Sequence, residues 1–435
     1  MGKYFGTDGI RGKTYEFLSP ELAFRVGNAL TRKHGDIKVI IGRDTRISGK
    51  LICYSLACGV MAGGGEVTNV GIITTPGVAY LTKSGNYNYG IMITASHNSA
   101  EYNGIKIFDR FGNKISEADE LEIERELFKV KYRKFDKTGK YLQENKSVKK
   151  YERYLADPSC RLDRFKIVLD CANGASGKIA PEVFRSLGAE VVAINTGKDG
   201  LKINEKCGAL HPEKLAEKVK QVKADIGLAF DGDADRLIVI DENGEIFDGD
   251  NLIYLFAKFL KSQNMLRENT IVVTEMSNMG LDKALEKEDI RVIRTKVGDK
   301  YVAERLREGY SFGGEQCGHL IFGDNATSGD GIWAGLMLLN ILSIKFTSLS
   351  QISKIEPFFQ LKQDFKVKNK EESLKNKHIL IFLENCRKIL KDNGRILLRA
   401  SGTEDKLRLL VESSDEKMGK DVFTGLSNLI TKLEK

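Results

Sequence analysis

A repeated alternation of buried strands and helices is the feature that most constrains the fold of this chain. Apolar runs of strand type, such as residues 38–42, 66–70 and 89–93, are separated by stretches with helical spacing, such as residues 48–62. Strands that alternate with covering helices favour a mostly parallel sheet with helices packed on its faces. The first 150 residues are therefore predicted to form an α/β domain.

The same order of strand and helix recurs twice along the chain, at a spacing of roughly 100 residues. Although residue identity between the units is weak, three successive units of this kind predict three consecutive α/β mixed-sheet domains of similar fold. The main predicted strands of the second and third units are residues 166–174, 191–194, 226–230, 270–274, 291–293 and 320–322.

The last part of the chain has a different pattern. Apolar runs at residues 379–382, 396–398 and 407–411 are predicted as strands that alternate with helices, and the last helix has an apolar face between residues 418 and 433. We predict a smaller C-terminal α+β domain. The predicted domains are residues 1–150, 151–250, 251–358 and 359–435.

Composition excludes several classes of protein. Of the 435 residues, 41% are hydrophobic and 29% are charged, which is typical of a globular protein. Seven scattered cysteines imply neither a disulfide framework nor a zinc site and favour the reducing cytoplasm. The longest apolar run, residues 332–344, is interrupted by Asn340 and is too short to span a membrane. The amino terminus has no apolar signal segment, so a cytoplasmic protein without membrane partners is expected.

The net charge of +8 is concentrated in one segment. Residues 129–150 contain nine Lys or Arg against Asp136 and Glu144, a local balance of +7. A nucleic-acid patch is one interpretation. A solvated face on a connector between domains is favoured, because no aromatic stacking platform accompanies the charges.

A polar turn follows the strand at residues 89–93. It reads Thr94-Ala95-Ser96-His97-Asn98. A hydroxyl at the carboxyl end of a strand is well placed for a nucleophile. The alternative is an ordinary turn in which the serine bonds only its own backbone.

Three aspartates follow the strand at residues 226–230. In an extended loop Asp231, Asp233 and Asp235 would point the same way, and their mutual repulsion favours a hard divalent cation between them. A calcium loop is excluded, because Arg236 occupies the position that needs glycine. A phosphatase with Asp231 as its nucleophile, or a solvated turn, stays open.

Three further stretches favour binding of anions or sugars. Residues 399–404 with Arg408 combine two guanidinium groups, two hydroxyls and a glycine, which suits an anion. The glycine-rich residues 5–12 place Arg11 in a similar setting. Residues 313–319 group a carboxylate, an amide, a thiol and an imidazole, which could bond sugar hydroxyls or form a plain polar turn.

These loops together resemble the four signature loops of the α-D-phosphohexomutases, in the same order and with one loop in each predicted domain. The resemblance covers essentially the whole chain. It implies three similar α/β mixed-sheet domains and a smaller C-terminal domain around an active site in a central cleft. Residues 5–12 and the pair Glu315-Gln316 are similar to a bacterial branch that acts on glucosamine phosphates.

The resemblance implies a reaction and its cofactors. Glucosamine 6-phosphate and glucosamine 1-phosphate would be interconverted through a phosphorylated Ser96 and a bound 1,6-bisphosphate of glucosamine or glucose. Mutases of glucose or mannose phosphates are the near alternative. A homodimer is a further expectation from the family. The implied Mg²⁺ ligands are Ser96, Asp231, Asp233 and Asp235.

The resemblance also assigns roles to the remaining candidates. Lys106, Arg11 and His319 match basic positions that act as general acid or base or that stabilise charge. Positive charge is needed, because three carboxylates and a phosphoserine of about −2 exceed the charge of Mg²⁺. The residues implied to bind substrate are Arg236, Glu315, Gln316, Cys317, Arg399, Ser401, Gly402, Thr403 and Arg408.

Three residues depart from the family pattern. Ser99 stands where proline is usual after Asn98, so a less rigid loop around Ser96 is expected. Asp405 likewise replaces a usual proline in the phosphate loop at residues 399–404. Cys317 replaces a serine, and a thiol is a weaker hydrogen-bond partner than a hydroxyl. The departure at Cys317 therefore bears on sugar selectivity and not on the type of reaction.

Overall fold

The computed structural model describes residues 2–434, except residues 35, 145, 158, 159, 324–326 and 401–404, and only the backbone of residues 33 and 34. No helix within these ranges is long and apolar enough to cross a membrane. Single turns of 3₁₀ helix lie at Phe135–Lys137, Gly208–Leu210, Arg267–Asn269, Leu349–Gln351 and Lys391–Asn393.

The first sheet is mixed. Its strands are β1 (Phe5–Gly6), β2 (Gly9–Lys13), β3 (Lys38–Arg43), β4 (Glu66–Ile72), β5 (Tyr89–Ile93), β6 (Tyr102–Phe108) and β7 (Tyr141–Gln143). They lie in the order β1-β2-β6-β5-β3-β4-β7. Strands β5, β3, β4 and β7 are parallel, whereas β1, β2 and β6 pair antiparallel. The expectation of a mostly parallel sheet is therefore wrong at this edge, where the glycine-rich residues 5–12 form a hairpin.

Helices cover this sheet because their apolar faces need burial. They are α1 (Pro20–His34), α2 (Gly49–Ala62), α3 (Thr75–Ser84), α4 (Glu117–Glu126) and α5 (Val148–Leu155). Helices α1 and α2 approach closely at Gly27 and Gly59, where an added Cβ would overlap the backbone of the other helix. The basic residues 129–150 supply the exposed edge strand β7, which the sequence pattern does not predict.

The second sheet carries residues 231–236, the acidic loop, which contains the three aspartates. Its strands are β8 (Lys166–Asp170), β9 (Glu190–Ile194), β10 (Ile226–Phe230), β11 (Leu237–Asp241) and β12 (Ile246–Phe247), with helices α6 (Ser176–Ser186) and α7 (Glu213–Val222). The order is β12-β11-β10-β8-β9. Because Phe230 of β10 pairs with Leu237 of β11, residues 231–236 form the connection between two buried antiparallel strands.

The third sheet carries residues 313–319, which the sequence analysis predicted to bond sugar hydroxyls. Its strands are β13 (Thr270–Thr274), β14 (Arg291–Thr295), β15 (Phe312–Gly314) and β16 (Leu320–Phe322). The helices in this stretch of the sequence are α8 (Gly249–Ser262), α9 (Met279–Glu286), α10 (Asp299–Leu306) and α11 (Gly331–Lys345). The order is β14-β13-β15-β16. Gly314 pairs with Leu320, so residues 315–319 form the turn of a hairpin.

The chain divides into two compact units, residues 1–276 with 290–354, and residues 277–289 with 355–435. The second unit contains α9 and an antiparallel sheet in the order β17-β19-β18. The finer division into four domains at residues 150, 250 and 358 stays a prediction. The C-terminal elements are β17 (Phe359–Lys366), α12 (Lys370–Leu374), α13 (Lys377–Leu390), β18 (Gly394–Ala400), β19 (Lys406–Ser413) and α14 (Glu416–Glu434).

One predicted strand in this unit is wrong. Residues 379–382 lie inside helix α13. Ile379 and Leu383 are buried one turn apart, whereas Leu380 and Ile381 are exposed, which is a helical pattern. The third strand of the sheet is instead the mainly polar β17, which the sequence analysis misses.

Candidate active site

The backbone around Ser96 is held in an uncommon conformation. Ser96 lies three residues beyond the end of β5, is buried and has a φ of 51°, in the left-handed region. Its N–H donates to Thr94 Oγ1 at 2.9 Å, and the Thr94 hydroxyl donates to Asp44 Oδ2 at 2.6 Å. A residue in this conformation persists only when its surroundings fix it. The Asp44–Thr94 contacts supply part of that support.

Arg46 supplies most of the remaining support. Its side chain is buried and pairs with Asp44 through Nε and Oδ2 at 3.0 Å. The guanidinium group donates to four main-chain carbonyls of the serine loop and its flank. These carbonyls belong to Ser96 (3.0 Å), Asn98 (2.7 Å), Tyr102 (2.9 Å) and Ser99.

Asn204 binds the same loop from the second α/β region. Its Nδ2 donates to Ser96 O at 2.8 Å and to Asn98 O at 3.0 Å. The two amide protons of one side chain therefore hold the carbonyls on either side of His97. The serine loop is fixed through its main chain from two directions.

The Ser96 hydroxyl itself points at the acidic loop. Ser96 Oγ donates to Asp231 Oδ2 at 2.7 Å, and His97 Nδ1 lies 3.3 Å from Ser96 Oγ. Burial, followed by the charges of Arg236 and Arg11, lowers the pKa of His97 to about 2. His97 is therefore neutral, and the carboxylate of Asp231 is the nearer acceptor for the serine proton.

The acidic loop brings its three carboxylates together by a turn. The N–H of Ala234 donates to Asp231 O at 3.1 Å, and Ala234 has a φ of 58°, so the loop is not the extended segment that the sequence analysis assumed. One carboxylate oxygen from each of Asp231, Asp233 and Asp235 nevertheless lies within 4.8 Å of the others. All three side chains are buried.

This crowding makes the cluster suitable for a cation. Burial, followed by the charges of Asp235 and Asp233, raises the pKa of Asp231 to about 7. The Oδ1 atoms of Asp231 and Asp233 are buried and have no hydrogen-bond partner in the described part of the chain. Buried oxygens without partners are costly, and hard divalent cations take such oxygens as ligands. The residues present therefore fit Mg²⁺.

Lys106 is the cation nearest to the acidic loop. Its Nζ lies 2.9 Å from Asp233 Oδ2, 2.8 Å from Asp235 Oδ2 and 3.0 Å from Asp8 Oδ2. Burial alone would lower the pKa of Lys106, but these three carboxylates raise it well above its usual value. The side chain is consequently an ammonium group that neutralises part of the cluster.

Asp8 extends this network to the first hairpin. Arg11 donates to Asp8 Oδ2 at 2.6 Å and to Asn98 Oδ1 at 3.1 Å. Lys114 pairs with Asp8 and also lies 2.7 Å from Asp299 Oδ1. Burial raises the pKa of Asp8, but Lys106, Lys114 and Arg11 outweigh burial and hold that pKa well below its usual range. Arg11 is thereby tied to both the acidic loop and the serine loop.

The loop between β15 and β16 meets the acidic loop through His319. His319 Nδ1 lies 2.7 Å from Glu315 Oε2, and Nε2 lies 3.0 Å from Asp235 Oδ1. Burial lowers the pKa of His319, but Asp235 and the other nearby anions raise it well above its usual value. Burial raises the pKa of Glu315, but the hydrogen bond and the charge of His319 outweigh burial and keep that pKa below its usual value. Arg236 lies beside them, with Nε 3.3 Å from His319 Nε2.

The C-terminal candidates lie on adjacent strands. Arg399 of β18 pairs directly with Arg408 of β19, so the two guanidinium groups extend from neighbouring positions on one face. Asp364 Oδ2 lies 3.6 Å from Arg408 Nε. Two adjacent arginines suit an anion such as phosphate. The other candidates from this loop, Ser401, Gly402 and Thr403, lie outside the described residues.

The structure therefore collects most of the predicted side chains into one cluster. Gln316 and Cys317 are half-buried in the turn that carries Glu315 and His319. The sequence analysis missed the residues that position the loops. They are Asp8, Asp44, Arg46, Lys114 and Asn204. Asp44 and Arg46 directly follow β3, the parallel neighbour of β5, and that position is the signal that could have found them.

Four domain models of one family match the chain in succession. They describe α/β/α domains I, II and III and the C-terminal domain of phosphoglucomutase/phosphomannomutase, at residues 2–134, 145–244, 248–358 and 361–426. The chain belongs to the phosphoglucomutase/phosphomannomutase family. The family architecture confirms the predicted fold class of three α/β mixed-sheet domains and a smaller C-terminal domain.

Relatives that are 42–44% identical to this chain are named phosphoglucosamine mutases, which is narrower than the family description. The chain is 43% identical to a phosphoglucosamine mutase of Bacillus velezensis, and the match covers 99% of this chain and 98% of that protein. It is 44% identical to a phosphoglucosamine mutase of Clostridioides difficile over 99% of both chains. The corresponding protein of Bacillus subtilis is 42% identical over 96% of both chains.

Solved structures agree with this fold. A phosphoglucomutase/phosphomannomutase family protein from Burkholderia thailandensis superposes with a TM-score of 0.82 at 26% identity, over 98% of this chain and 97% of that chain. An N-acetylphosphoglucosamine mutase of Aspergillus fumigatus, solved with GlcNAc-6P and magnesium, has a TM-score of 0.69 at 18% identity and covers 99% of this chain and 96% of its own. At this identity the second likeness concerns the fold alone.

Proposed function

We propose that this family member interconverts glucosamine 6-phosphate and glucosamine 1-phosphate as a phosphotransferase-type mutase of amino-sugar metabolism. The relatives at 42–44% identity are phosphoglucosamine mutases, which supports the choice of sugar. The observation that carries the proposal is the buried Ser96 hydroxyl, 2.7 Å from Asp231 in a carboxylate cluster surrounded by cations. We further propose a cytoplasmic homodimer.

The acidic loop is proposed to hold Mg²⁺. Asp231, Asp233 and Asp235, together with an oxygen on Ser96, would be its ligands, and the two buried oxygens without partners support this assignment. When bound, the ion would neutralise charge on the transferring phosphoryl group. A fungal N-acetylphosphoglucosamine mutase of the same fold has been solved with magnesium, and a Ser→Ala variant of that fungal enzyme with glucose 1,6-bisphosphate.

The cycle begins with a phosphoryl group on Ser96. That group passes to a sugar monophosphate and forms a bound 1,6-bisphosphate, and Ser96 then takes back the other phosphoryl group. Asp231 accepts the hydrogen bond of the free Ser96 hydroxyl and is the proposed acceptor for its proton during this second transfer. Because Ser96 is phosphorylated again at the end of the cycle, no net phosphate is consumed.

The surrounding cations stabilise charge on the transferring group. Lys106 donates to Asp233 and Asp235, the two ring nitrogens of His319 lie within hydrogen-bond distance of Glu315 and Asp235, and despite burial these carboxylates keep the pKa of both cations above its usual value. We therefore propose that they act as general acids or charge stabilisers and not as bases. Arg11 and Arg236 contribute further positive charge.

The remaining candidates are proposed to orient the sugar phosphate. The ionised Glu315 can accept hydrogen bonds from sugar hydroxyls, and Gln316 and Cys317 share its turn. The adjacent Arg399 and Arg408, with Ser401, Gly402 and Thr403, are proposed to bind the phosphate that is not being transferred.

A sugar phosphatase is the alternative from another class. In that reaction Asp231 would carry the phosphoryl group and water would release it. Asp231 instead accepts a 2.7 Å hydrogen bond from Ser96, and Arg46 and Asn204 hold the loop that carries Ser96. A phosphatase of this kind would give neither Ser96 nor the Arg399–Arg408 pair a role.

The test compares turnover of glucosamine, glucose and mannose 6-phosphates with a catalytic trace of 1,6-bisphosphate, while inorganic phosphate is measured in parallel. We expect glucosamine 6-phosphate to be the best substrate, little phosphate release, and loss of turnover in a Ser96→Ala variant that remains folded, as measured by circular dichroism. If glucosamine 6-phosphate were the poorest of the three, the proposed sugar would be wrong. Stoichiometric phosphate release that survives Ser96→Ala would establish the phosphatase instead.

A further inference from the structure

One group of side chains has a property that the proposed function does not use. Glu315, Cys317 and His319 each present a ligand atom to a common point, and these atoms lie within 4.8 Å of one another. Cys317 Sγ lies 3.8 Å from His319 Nδ1 and 3.9 Å from Glu315 Oε2, and Nδ1 lies 2.7 Å from Oε2. A thiol, an imidazole and a carboxylate are the ligand types of zinc sites.

We infer that Glu315, Cys317 and His319 form a binding site for a thiophilic divalent cation, with Zn²⁺ as the ion that fits. The inference concerns a second metal, distinct from the hard cation that suits the acidic loop. The cysteine spacings in the sequence gave no sign of it, because a single cysteine combines here with ligands of other types only four residues apart.

The separations of the ligand atoms match a tetrahedral zinc ion. Bonds of about 2.3 Å to sulfur and about 2.0–2.2 Å to nitrogen and oxygen place sulfur roughly 3.5 Å from the other two ligands and separate nitrogen from oxygen by roughly 3.3 Å. The two distances to Cys317 Sγ therefore need to shorten by only a few tenths of an ångström. The contact between Nδ1 and Oε2 needs to open by about 0.6 Å, which replaces that hydrogen bond with two metal bonds.

The backbone already holds the three ligands in one turn. Glu315 N donates to His319 O, and Gly318 N donates to Glu315 O, both at 2.9 Å. Gly318 has a φ of 98°, a conformation that glycine adopts without strain. The hairpin of β15 and β16 thus pays little further conformational entropy when an ion binds.

Asp235 completes an arrangement that is common around zinc. Its Oδ1 lies 3.0 Å from His319 Nε2, the ring nitrogen opposite the proposed ligand Nδ1. A carboxylate that accepts the second N–H of a metal-bound histidine fixes the ring and increases its basicity. Arg236, 3.3 Å from the same Nε2, is the opposing charge and weakens the attraction for a cation.

Binding is balanced by the release of protons. Cys317 loses its S–H proton and His319 loses the proton on Nδ1, so the ion meets a thiolate, a neutral imidazole and the Glu315 carboxylate. Three protein ligands leave the fourth tetrahedral position to water. Since Glu315 and His319 would then face the ion, Zn²⁺ is expected to compete with the sugar phosphate. That consequence rests on the proposed function, whereas the metal site itself does not.

The test uses Co²⁺ as a spectroscopic probe of the full chain in a large excess of Mg²⁺, which occupies hard oxygen sites. We expect a thiolate-to-cobalt charge-transfer band in the near ultraviolet and intense visible bands of a tetrahedral ion, both removed by one equivalent of Zn²⁺. Cys317→Ser should abolish the charge-transfer band and weaken Zn²⁺ binding by more than about 100-fold, since the loss of even an outer partner costs about 10–100-fold.

Cys58→Ser is the matched control. Cys58 is exposed on α2 and belongs to no cluster of metal-binding side chains among the described residues, so its loss should leave the band intact. The absence of the band from the unmodified chain would overturn the inference. So would a band that survives Cys317→Ser, or one that disappears in Cys58→Ser. None of these readouts depends on turnover, so failure of the zinc site is separable from failure of the proposed mutase reaction.

Discussion

The serine loop at residues 94–99 and the acidic loop at residues 231–236 are alike in position but are held in different ways. Each follows a buried strand, and each contains a non-glycine residue with a left-handed backbone, Ser96 or Ala234. Arg46 and Asn204 hold the serine loop through its carbonyls. Cations hold the acidic loop through its charged side chains.

In the serine loop different groups serve stability and function, whereas in the acidic loop the same side chains affect both. In the serine loop the main chain carries the supporting contacts, so the hydroxyl of Ser96 is available for chemistry. In the acidic loop the functional side chains are themselves the strained groups, because buried carboxylates without enough partners oppose folding. Loss of a side chain that supports the serine loop should therefore lower stability, whereas loss of a carboxylate of the acidic loop should raise it, and both losses should reduce activity.

The largest effect on stability is expected at Arg46. Arg46→Met removes three hydrogen bonds to the serine loop and one to Tyr102, and it leaves Asp44 as a buried charge without its cation. Breaking a buried pair in this way costs about 3–5 kcal/mol. We expect a loss of that size in the free energy of unfolding, measured with urea, together with a large fall in kcat because Ser96 is no longer positioned.

Arg43→Met is the matched control for this prediction. Arg43 lies three residues earlier and is half-buried, and its side chain donates to the Asp44 carbonyl at 3.0 Å without a carboxylate partner among the described residues. Its loss should cost about 1 kcal/mol or less. Equal effects of the two substitutions would mean that the serine loop does not depend on the Arg46 guanidinium group.

The acidic loop should respond in the opposite direction. Asp231→Asn is expected to lower kcat/KM at least about 100-fold, as expected when a proposed metal ligand and the partner of Ser96 are lost together. In a metal chelator at pH 8 the same variant should melt at a higher temperature than the unmodified chain. A lower melting temperature would show that the Asp231 charge stabilises the fold, contrary to this comparison.

The sign follows from the pKa of Asp231, which burial and the neighbouring aspartates raise to about 7. A raised pKa contributes stability that is full below about pH 4 and is lost as pH rises through 7. Asparagine does not titrate, so the variant should show a flatter profile of melting temperature between pH 4 and 7. Asp330, whose pKa burial raises to about 6, titrates in the same window, and Asp330→Asn serves to separate its share.

Sequence periodicity predicted the three α/β regions because most of their central strands, such as β5, β8, β10 and β13, are buried and bounded by turns. It failed at residues 379–382, because a short apolar run has no period of its own and only the burial of Ile379 and Leu383 reveals a helix. It also missed β17, where polar residues alternate on a partly exposed strand. Both errors lie where tertiary packing, and not local pattern, decides the element.

In the site, too, the residues with a local sequence pattern could be predicted, and those that depend on tertiary contacts could not be recognised. The chemistry of Ser96 and the aspartates could be predicted because unusual residue types follow strands. Arg46 and Asp44 also follow a strand, but a charged pair at such a position normally lies at the surface, so the position alone does not reveal what the pair contacts. Their roles depend on contacts to residues about 50 positions away, which no local pattern contains.

The smallest effect is expected at Ser99, where the family usually has proline. The Ser99 carbonyl accepts from Arg46, whereas its N–H donates no hydrogen bond within the described ranges. Proline would therefore remove only the hydrogen bond of the Ser99 side chain to the exposed Glu101. Ser99→Pro should raise the free energy of unfolding by about 0.4–1 kcal/mol through a less flexible unfolded chain. Activity should change by less than about twofold, because Arg46 already fixes the loop that proline would stiffen. If Ser99→Pro raised the stability of the unmodified chain but not that of the Arg46→Met variant, the proline ring would act on the folded serine loop and not on the unfolded chain.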